Sequence, residues 1–210
     1  MLPFFEGMNP WYKWLPASEP VTLESIRNGT GTSVMSPEVE ALIRAKVQEI
    51  RADGGKVVGA IGFSQGTKIV TGLLRGSEIR REVKAAGGEV NEETDWLEDF
   101  SFGLSVCGSY PPGLVPRSAL ELLRNSSLSQ DQKDEIERKK IRLPTLHVLG
   151  AQDEFIVYGR ALVEKAFETG EGMSEVRETE GAHHYPQRVE ENERVVEWVR
   201  NIWGWVKDSR

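Results

Sequence analysis

Apolar and polar positions along the chain form two kinds of pattern, short apolar runs and longer stretches with apolar residues at helical spacing. The runs at 57–61, 102–106 and 143–150 have the length and composition of buried parallel strands, and 175–180 alternates like a partly exposed last strand. Helix-spaced stretches separate these runs. Strands that alternate with helices favour a parallel sheet, so the pattern predicts an α/β fold with helices flanking the sheet.

Two of the helices are predicted in more detail. The first has Ser36 as its N-cap residue and Pro37 at its first position, and it ends before Asp53-Gly54-Gly55. Its apolar stripe consists of Val39, Leu42, Ile43, Val47 and Ile50. The last helix covers about 189–206, with a stripe at Val195, Val196, Val199, Ile202, Trp203 and Val206. We interpret this second stripe as a face packed on the sheet rather than a membrane or partner surface.

Composition narrows the classes of protein to which the chain can belong. A length of 210 residues suits one domain, 1–210, and a net charge of −7 without a basic stripe argues against nucleic-acid binding. The single cysteine, Cys107, excludes an internal disulfide and is expected to pack at a strand end. No signal peptide or long apolar segment is found, so we expect a cytoplasmic protein without a membrane partner. The acidic stretch 87–99 is predicted as a solvated loop.

A glycine-rich turn, Gly62-Phe63-Ser64-Gln65-Gly66, connects the 57–61 strand to the next helix. A serine at the apex of a strand–turn–helix is the nucleophile elbow of α/β-hydrolases. The turn is tight, so the positions two before and two after the serine need small residues, and glycine meets this demand. The elbow also points the Gln65 N–H toward a developing oxyanion. The pattern therefore predicts Ser64 as a nucleophile, with a glycine-rich turn of a doubly wound fold as the alternative.

A serine nucleophile needs a base and an orienting acid, which in this fold follow in the order serine, acid, histidine. Asp153 and Glu154 come just after the 143–150 strand, at the edge where an open α/β sheet places its working groups. The loop after the last strand carries His183 and His184, of which only one can face the serine. His147 lies inside a strand and is interpreted as a core residue. Cys107 rivals the serine as nucleophile only if a histidine approaches it.

Three motifs together resemble the fungal serine hydrolase (FSH) family. They are the G-F-S-Q-G turn, the strand His147-Val148-Leu149-Gly150 with Asp153 downstream, and Gly181-Ala182-His183 with Pro186 three residues later. The last matches the family's G-G-H-x-x-P motif with an alanine in the second glycine position. The segment 105–110 is also similar to the family's sequence after the next strand. The resemblance favours His183 over His184 as the base and Asp153 over Glu154 as the acid.

The family resemblance implies an α/β-hydrolase that needs no cofactor or metal and cleaves a carboxylic ester or acyl thioester through an acyl-enzyme. In such a mechanism Ser64 attacks the carbonyl, His183 takes its proton, Asp153 holds the imidazole, and the Gln65 N–H binds the oxyanion. Family substrates include short acyl esters and polyketide chains held as thioesters on a carrier protein. Those members release chains in fungal secondary metabolism.

Five residues are predicted to contact the acyl group. They are Trp11, Tyr12, Phe63, Tyr110 and Leu114. The first two belong to an aromatic segment between prolines, which related proteins place beside the active site, although plugging a sheet face is an equal alternative. The insertion 111–143 occupies a usual place for a lid, so we expect a lid or cap that shapes an apolar acyl site.

The beginning of the sequence departs from the family pattern. Family members start with a strand that ends in a histidine-glycine loop and supplies a second oxyanion N–H, whereas residues 1–7 here resemble the sequence after a later turn. We therefore expect an N-terminally shortened sheet with the strand before Ser64 at its edge. Loss of one oxyanion donor costs about a hundred- to a thousand-fold in rate. The expectations are a homodimer across this edge, coverage by another segment, or a truncated product, and the alternative function is an impaired hydrolase acting as a binding or scaffolding protein.

Overall fold

The computed structural model describes residues 33–110 and 113–208, with side chains through residue 204. Trp11 and Tyr12, and the role predicted for them, lie outside the described residues. Within the described ranges, four strands form one parallel sheet in the order β1-β2-β3-β4. They are β1 (Gly59–Phe63), β2 (Phe102–Val106), β3 (Thr145–Gly150) and β4 (Ser174–Thr179).

Helices alternate with these strands along the chain. They are α1 (Pro37–Ala52), α2 (Gly66–Ala85), α3 (Arg117–Asn125), α4 (Gln130–Arg138), α5 (Ile156–Ala166) and α6 (Val189–Asp208), with a 3-10 helix at Glu92–Asp99. The prediction of an α/β fold with a parallel sheet flanked by helices is confirmed.

The register of the sheet brings the carboxyl ends of all four strands to one edge. Phe63 pairs with Val106, and Val106 with Val148, while Gly150 pairs with Thr179. Residues that directly follow the strands therefore meet at this edge, as in other open α/β sheets.

The predicted boundaries of the first helix are confirmed, but its predicted apolar stripe is partly wrong. The Ser36 hydroxyl accepts a hydrogen bond from the Val39 N–H at 3.3 Å, which caps α1. Val39 and Val47 are buried in the core, but Leu42 is 47% exposed. The stripe is therefore narrower than predicted.

α6 packs on one face of the sheet, but with a face rotated from the predicted one. Trp198, which the predicted stripe omitted, is 4% exposed and packs edge-on against Phe102. Val196 and Trp203, which the stripe included, are 46% and 39% exposed. The side chains of α6 that meet the sheet are Val195, Trp198, Val199 and Ile202. Trp198 is the largest of these side chains and contributes the most apolar surface to the contact with the sheet.

The prediction of a solvated loop at 87–99 is wrong for its second half. Glu92–Asp99 forms a 3-10 helix in which Trp96 and Leu97 are fully buried. Arg51 of α1 pairs with Asp95 and Asp99 at 3.0 and 2.9 Å. The acidic residues thus neutralise a basic residue on a neighbouring helix while the apolar side chains enter the core.

The segment predicted as a lid contains α3 and α4, which pack against the C-terminal half of α2. Its apolar contacts join Leu122, Leu123, Leu128 and Ile136 to Ile79 and Val83. Among the described residues of this segment, the start reaches the elbow end of α2, where the Leu114 N–H donates to the Lys68 carbonyl at 3.1 Å. A lid function for 111–143 stays a prediction.

Among the described residues, β1 pairs only with β2 and is an edge strand. Its central side chain, Ile61, is 62% exposed. An exposed edge of this kind offers unpaired backbone groups to another strand. None of the described helices combines the length and the apolar character needed to cross a lipid bilayer.

Candidate active site

Ser64 sits at the apex of the turn between β1 and α2 in a left-handed backbone conformation, with φ of 51°. Its N–H continues the sheet ladder by donating to the Val106 carbonyl at 2.9 Å. Its own carbonyl accepts the Thr67 hydroxyl at 2.6 Å. The left-handed conformation is strained for any residue with a side chain. The hydrogen bonds of the Ser64 N–H and carbonyl hold the backbone in it.

The two glycines of the elbow differ in their steric role. A Cβ on Gly62 would lie 2.6 Å from the Gly66 carbonyl oxygen and 2.8 Å from the Thr67 nitrogen. A Cβ on Gly66 itself would meet no heavy atom within 4 Å. The expectation that both positions need small residues therefore holds at Gly62, where backbone approaches backbone, and is wrong at Gly66.

Ser64, His183 and Asp153 form one hydrogen-bonded chain. The Ser64 Oγ lies 2.9 Å from His183 Nε2, and His183 Nδ1 lies 2.8 Å from Asp153 Oδ2. A carboxylate can only accept, so the imidazole carries its proton on Nδ1 and leaves Nε2 free to accept from the serine. This is the arrangement in which a histidine can take a proton from a serine hydroxyl.

The Asp153 carboxylate is buried and fully engaged. Its side chain is 2% exposed, and its second oxygen accepts the Phe155 N–H at 2.8 Å. Burial acts to raise the pKa of Asp153, but the hydrogen bonds from His183 and Phe155, with smaller contributions from the charge of His183 and the Cys107 thiol, outweigh it and hold the pKa below 3.8. Glu154, the alternative acid, is exposed.

Of the two histidines in the loop after β4, His183 faces the serine and His184 makes hydrogen bonds within the loop. His184 Nε2 accepts the Ala182 N–H at 3.3 Å, and its Nδ1 lies 2.7 Å from the Tyr185 carbonyl. The loop also lies so close to the end of β3 that a Cβ on Gly150 would strike the carbonyl groups of the loop. The backbone of the loop before His183 therefore packs directly on the end of β3.

Three aromatic side chains surround the His183 imidazole and its neighbourhood. Phe63 and Phe155 have ring centroids 5.1 and 5.3 Å from it, and Tyr185 stacks on Phe63 at 5.0 Å. Tyr185 is 49% exposed, so this apolar surface is open to solvent beside the serine. Such a surface suits an apolar acyl group.

The remaining predicted residues lie in different surroundings. Gln65 is the N-cap residue of α2, so its N–H precedes the intrahelical hydrogen bonds of that helix. Phe63 and Tyr110 are partly buried, whereas Leu114 is 4% exposed within the core. Their contacts with a substrate stay predictions. His147 is fully buried in β3, as predicted.

Three of the described side chains are close enough to share a metal ion, and they belong to this same site. The Cys107 sulfur, an Asp153 oxygen and a His183 nitrogen lie within 4.8 Å of one another. Zinc takes ligands of these types. The hydrogen bond between His183 and Asp153 already uses a nitrogen and an oxygen of the set, and the network described above accounts for the cluster without an ion.

Sequence reasoning did not identify Phe155 and Tyr185 as parts of the site. The signal for Phe155 was available, since an aspartate commonly accepts the backbone N–H two residues further on. Tyr185 carries no such local signal, because its contact with Phe63 spans the sheet edge.

Comparison with protein families matches residues 10–195 to the family described as Serine hydrolase (FSH1). Among curated proteins, the chain is 27% identical over 206 residues to the dihydromonacolin L-[lovastatin nonaketide synthase] thioesterase of Aspergillus terreus, across 96% of this chain and 73% of that protein. It is 26% identical over 214 residues to esterase mlcF of Penicillium citrinum, across 100% and 74%. It is 28% identical over 210 residues to an esterase of Didymella fabae, across 95% and 70%. No solved structure matches it.

The family match extends over all four strands and includes the elbow serine, the buried aspartate and the loop histidine. The similar proteins carry the names of esterases and a thioesterase, which share the hydrolysis of an acyl bond. The chain belongs to the serine hydrolase (FSH1) family and is a hydrolase acting on ester bonds.

Proposed function

We propose that Ser64, His183 and Asp153 are a catalytic triad that hydrolyses an acyl ester or thioester through an acyl-enzyme. The observation that carries the proposal is the continuous chain of short contacts, 2.9 Å from the serine oxygen to the imidazole and 2.8 Å from the imidazole to the carboxylate. The correct order of the three groups along the chain adds support.

In the first step the Ser64 oxygen forms a bond to the substrate carbonyl carbon while its proton moves to His183 Nε2. The carbonyl electron pair moves to its oxygen, which the Gln65 N–H stabilises. Collapse of this intermediate expels the alcohol or thiol, which receives the proton from His183. In the second step a water molecule gives a proton to His183 and its oxygen attacks the acyl-enzyme carbonyl. The bond from the carbonyl carbon to the Ser64 oxygen then breaks, His183 returns the proton to that oxygen, and the acid is released.

The substrate we propose is an apolar acyl group, held as a small ester or as a thioester on a carrier protein. The Aspergillus terreus relative is named as a thioesterase of a polyketide synthase, which supports release of polyketide chains in fungal secondary metabolism. Phe63 and Tyr110, both partly buried near the strand ends, are proposed to contact the acyl group, together with Trp11 and Tyr12 outside the described residues.

We propose that the lid segment 111–143 contributes to this acyl site through its beginning. Leu114 is the residue to test, because its backbone bonds to Lys68, one turn from the elbow serine. Leu114→Asp should shift the preference among esters of different acyl length, measured as kcat/KM across a series of p-nitrophenyl esters. An unchanged preference in a folded variant would count against the lid.

A fluorophosphonate probe tests the triad, since it reacts with an activated serine and forms a covalent adduct. Intact mass should show one adduct on the wild type and none on Ser64→Ala. Ser127→Ala, which alters an exposed serine on another part of the molecule, is the matched control and should label like the wild type. Folded wild type that forms no adduct would refute the triad and favour an impaired hydrolase with a binding or scaffolding role.

We further propose a homodimer in which the β1 edges of two copies pair. Among the described residues this edge has no strand neighbour, and its Ile61 side chain is 62% exposed. Pairing would bury both the apolar side chain and the free backbone groups.

A further inference from the structure

Cys107 shares an unusual backbone conformation with the elbow serine. Among the described residues other than glycine, only Ser64 and Cys107 have positive φ, 51° and 49°. Because Phe63 pairs with Val106, the two residues occupy equivalent positions directly after β1 and β2. Strain of this kind persists where the surrounding structure enforces it, and it clusters at active sites. In this conformation the Ser64 hydroxyl faces His183, whereas the Cys107 side chain is 3% exposed and points into the interior.

The turn at Cys107 directs its thiol into the interior, toward the loops that carry the base and the acid. The sulfur lies 3.7 Å from the Ala182 carbonyl and 3.6 Å from the His184 carbonyl, which flank His183 on both sides. It also lies within 4.8 Å of an Asp153 carboxylate oxygen. The thiol therefore contacts both segments whose relative position sets the hydrogen bond between Asp153 and His183.

All three of these neighbours are oxygen acceptors, so the site suits a proton donor. Burial, followed by the charge of Asp153 and a hydrogen bond to it, raises the pKa of Cys107 to about 11. A thiol that keeps its proton is a weak nucleophile, so Cys107 does not compete with Ser64. It can instead donate its S–H to the Ala182 or the His184 carbonyl, which lie on either side of His183.

We infer that Cys107 is a positioning residue, whose buried thiol holds the His183 loop in place relative to Asp153 and Ser64. This inference rests on the proposed function of the triad. This role also explains the left-handed conformation of Cys107, because an extended residue at this position would not direct its side chain toward the His183 loop.

Three substitutions separate the thiol from the backbone conformation. Cys107→Ala removes the donor and keeps a Cβ, so kcat should fall about two- to ten-fold, the loss expected for one hydrogen bond to a neutral acceptor. KM should change little, because the buried thiol does not reach substrate. Cys107→Ser retains a donor and should recover most of kcat. Cys107→Gly relaxes the strained conformation but lacks the donor, so it should lose kcat like the alanine variant even if its thermal stability rises.

The proton on His183 Nδ1 supplies a second readout that does not depend on turnover. Its far-downfield NMR resonance reports the hydrogen bond to Asp153 and should move in the alanine and glycine variants but not in the serine variant. Wild-type kcat and resonance in Cys107→Ala would overturn the inference, and so would their restoration in Cys107→Gly, which would assign the effect to the backbone. If the wild type fails to react with a fluorophosphonate, the proposed function fails, while the resonance comparison still decides the role of Cys107.

Discussion

At the scale of single residues, the site depends on one buried carboxylate with a donor on each oxygen. Asp153 accepts from His183 through one oxygen and from the Phe155 N–H through the other. This arrangement fixes the plane of the carboxylate and with it the orientation of the imidazole. The neighbouring Glu154 has the same charge but is exposed, so charge alone does not distinguish the two acids.

Replacing this carboxylate by an amide should leave the fold intact and disable the base. Asp153→Asn can donate to His183 Nδ1 and so favours the wrong tautomer, which should lower kcat by about 10³–10⁴-fold. Ester hydrolysis measured under saturating substrate gives the comparison. Glu154→Gln is the matched control and should keep most of the wild-type rate. An equal loss in both variants would contradict the assignment of Asp153.

A second residue-scale prediction concerns stability in acid. His147 is fully buried without a hydrogen-bond partner for either ring nitrogen among the described residues, and burial lowers its pKa from 6.5 to about 3. Between these pH values the unfolded chain binds a proton here that the folded chain does not. The free energy of unfolding should therefore fall by about 1.4 kcal/mol per pH unit as the pH drops through this window.

His147→Leu removes the group that binds this proton in the unfolded chain. The free energy of unfolding, measured with urea at several pH values, should therefore fall less steeply below pH 6.5 than in the wild type. His184→Gln removes a histidine from the surface loop and leaves the buried one, so it should keep a steep dependence. Parallel stability curves for His147→Leu and the wild type would show that burial does not suppress protonation of His147.

At the scale of elements, the strand–turn–helix around Ser64 depends on contact between backbone segments rather than on glycine content as such. Positions 62 and 66 are both glycine, but only a Cβ at position 62 would collide with backbone atoms, those of Gly66 and Thr67. The second begins α2 and is open on its Cβ side.

Matched alanine substitutions test this difference. Gly62→Ala should lower the free energy of unfolding by about 1–3 kcal/mol through overpacking and slow fluorophosphonate labelling, because the elbow must open to admit the methyl group. Gly66→Ala should raise the free energy of unfolding by about 0.4–1 kcal/mol, because its conformation is helical and the unfolded chain loses freedom. Chemical denaturation of both variants gives the answer. Equal destabilisation would show that the open side of Gly66 is occupied.

At the scale of the whole molecule, the feature with the largest consequence is the edge that β1 forms among the described strands. Ile61 exposes 62% of its surface there, while Leu42 exposes 47% on α1. An exposed leucine on a helix is ordinary, whereas Ile61 lies on a strand that has a neighbour on one side only in the part of the chain that the structure describes.

Ile61→Lys should therefore shift the proposed homodimer toward monomer in sedimentation velocity, because a charge on the edge strand opposes pairing. Leu42→Lys adds the same charge to an exposed apolar position elsewhere and should leave the sedimentation coefficient unchanged. A wild type that sediments as a monomer over a wide concentration range would refute the dimer.

Local signals explain what could be predicted from the sequence. The Ser36 cap, the elbow motif and the strand at 102–106 depend on neighbours along the chain, and the structure has them where the pattern indicates. The meeting of the elbow, the acid and the histidine loop at one sheet edge also followed from the pattern, because parallel strands end on the same side.

The sequence by itself determined the α/β class, the strand order along the chain and the kind of chemistry at the strand ends. Only the tertiary structure decided which side chains meet, because those contacts join residues that are far apart along the chain. Ser64 and His183, for example, are separated by 119 positions. The rotation of α6 that buries Trp198, the burial of Trp96 and the inward turn of Cys107 belong to this second group. Each depends on packing between elements, whose relative positions no local pattern contains.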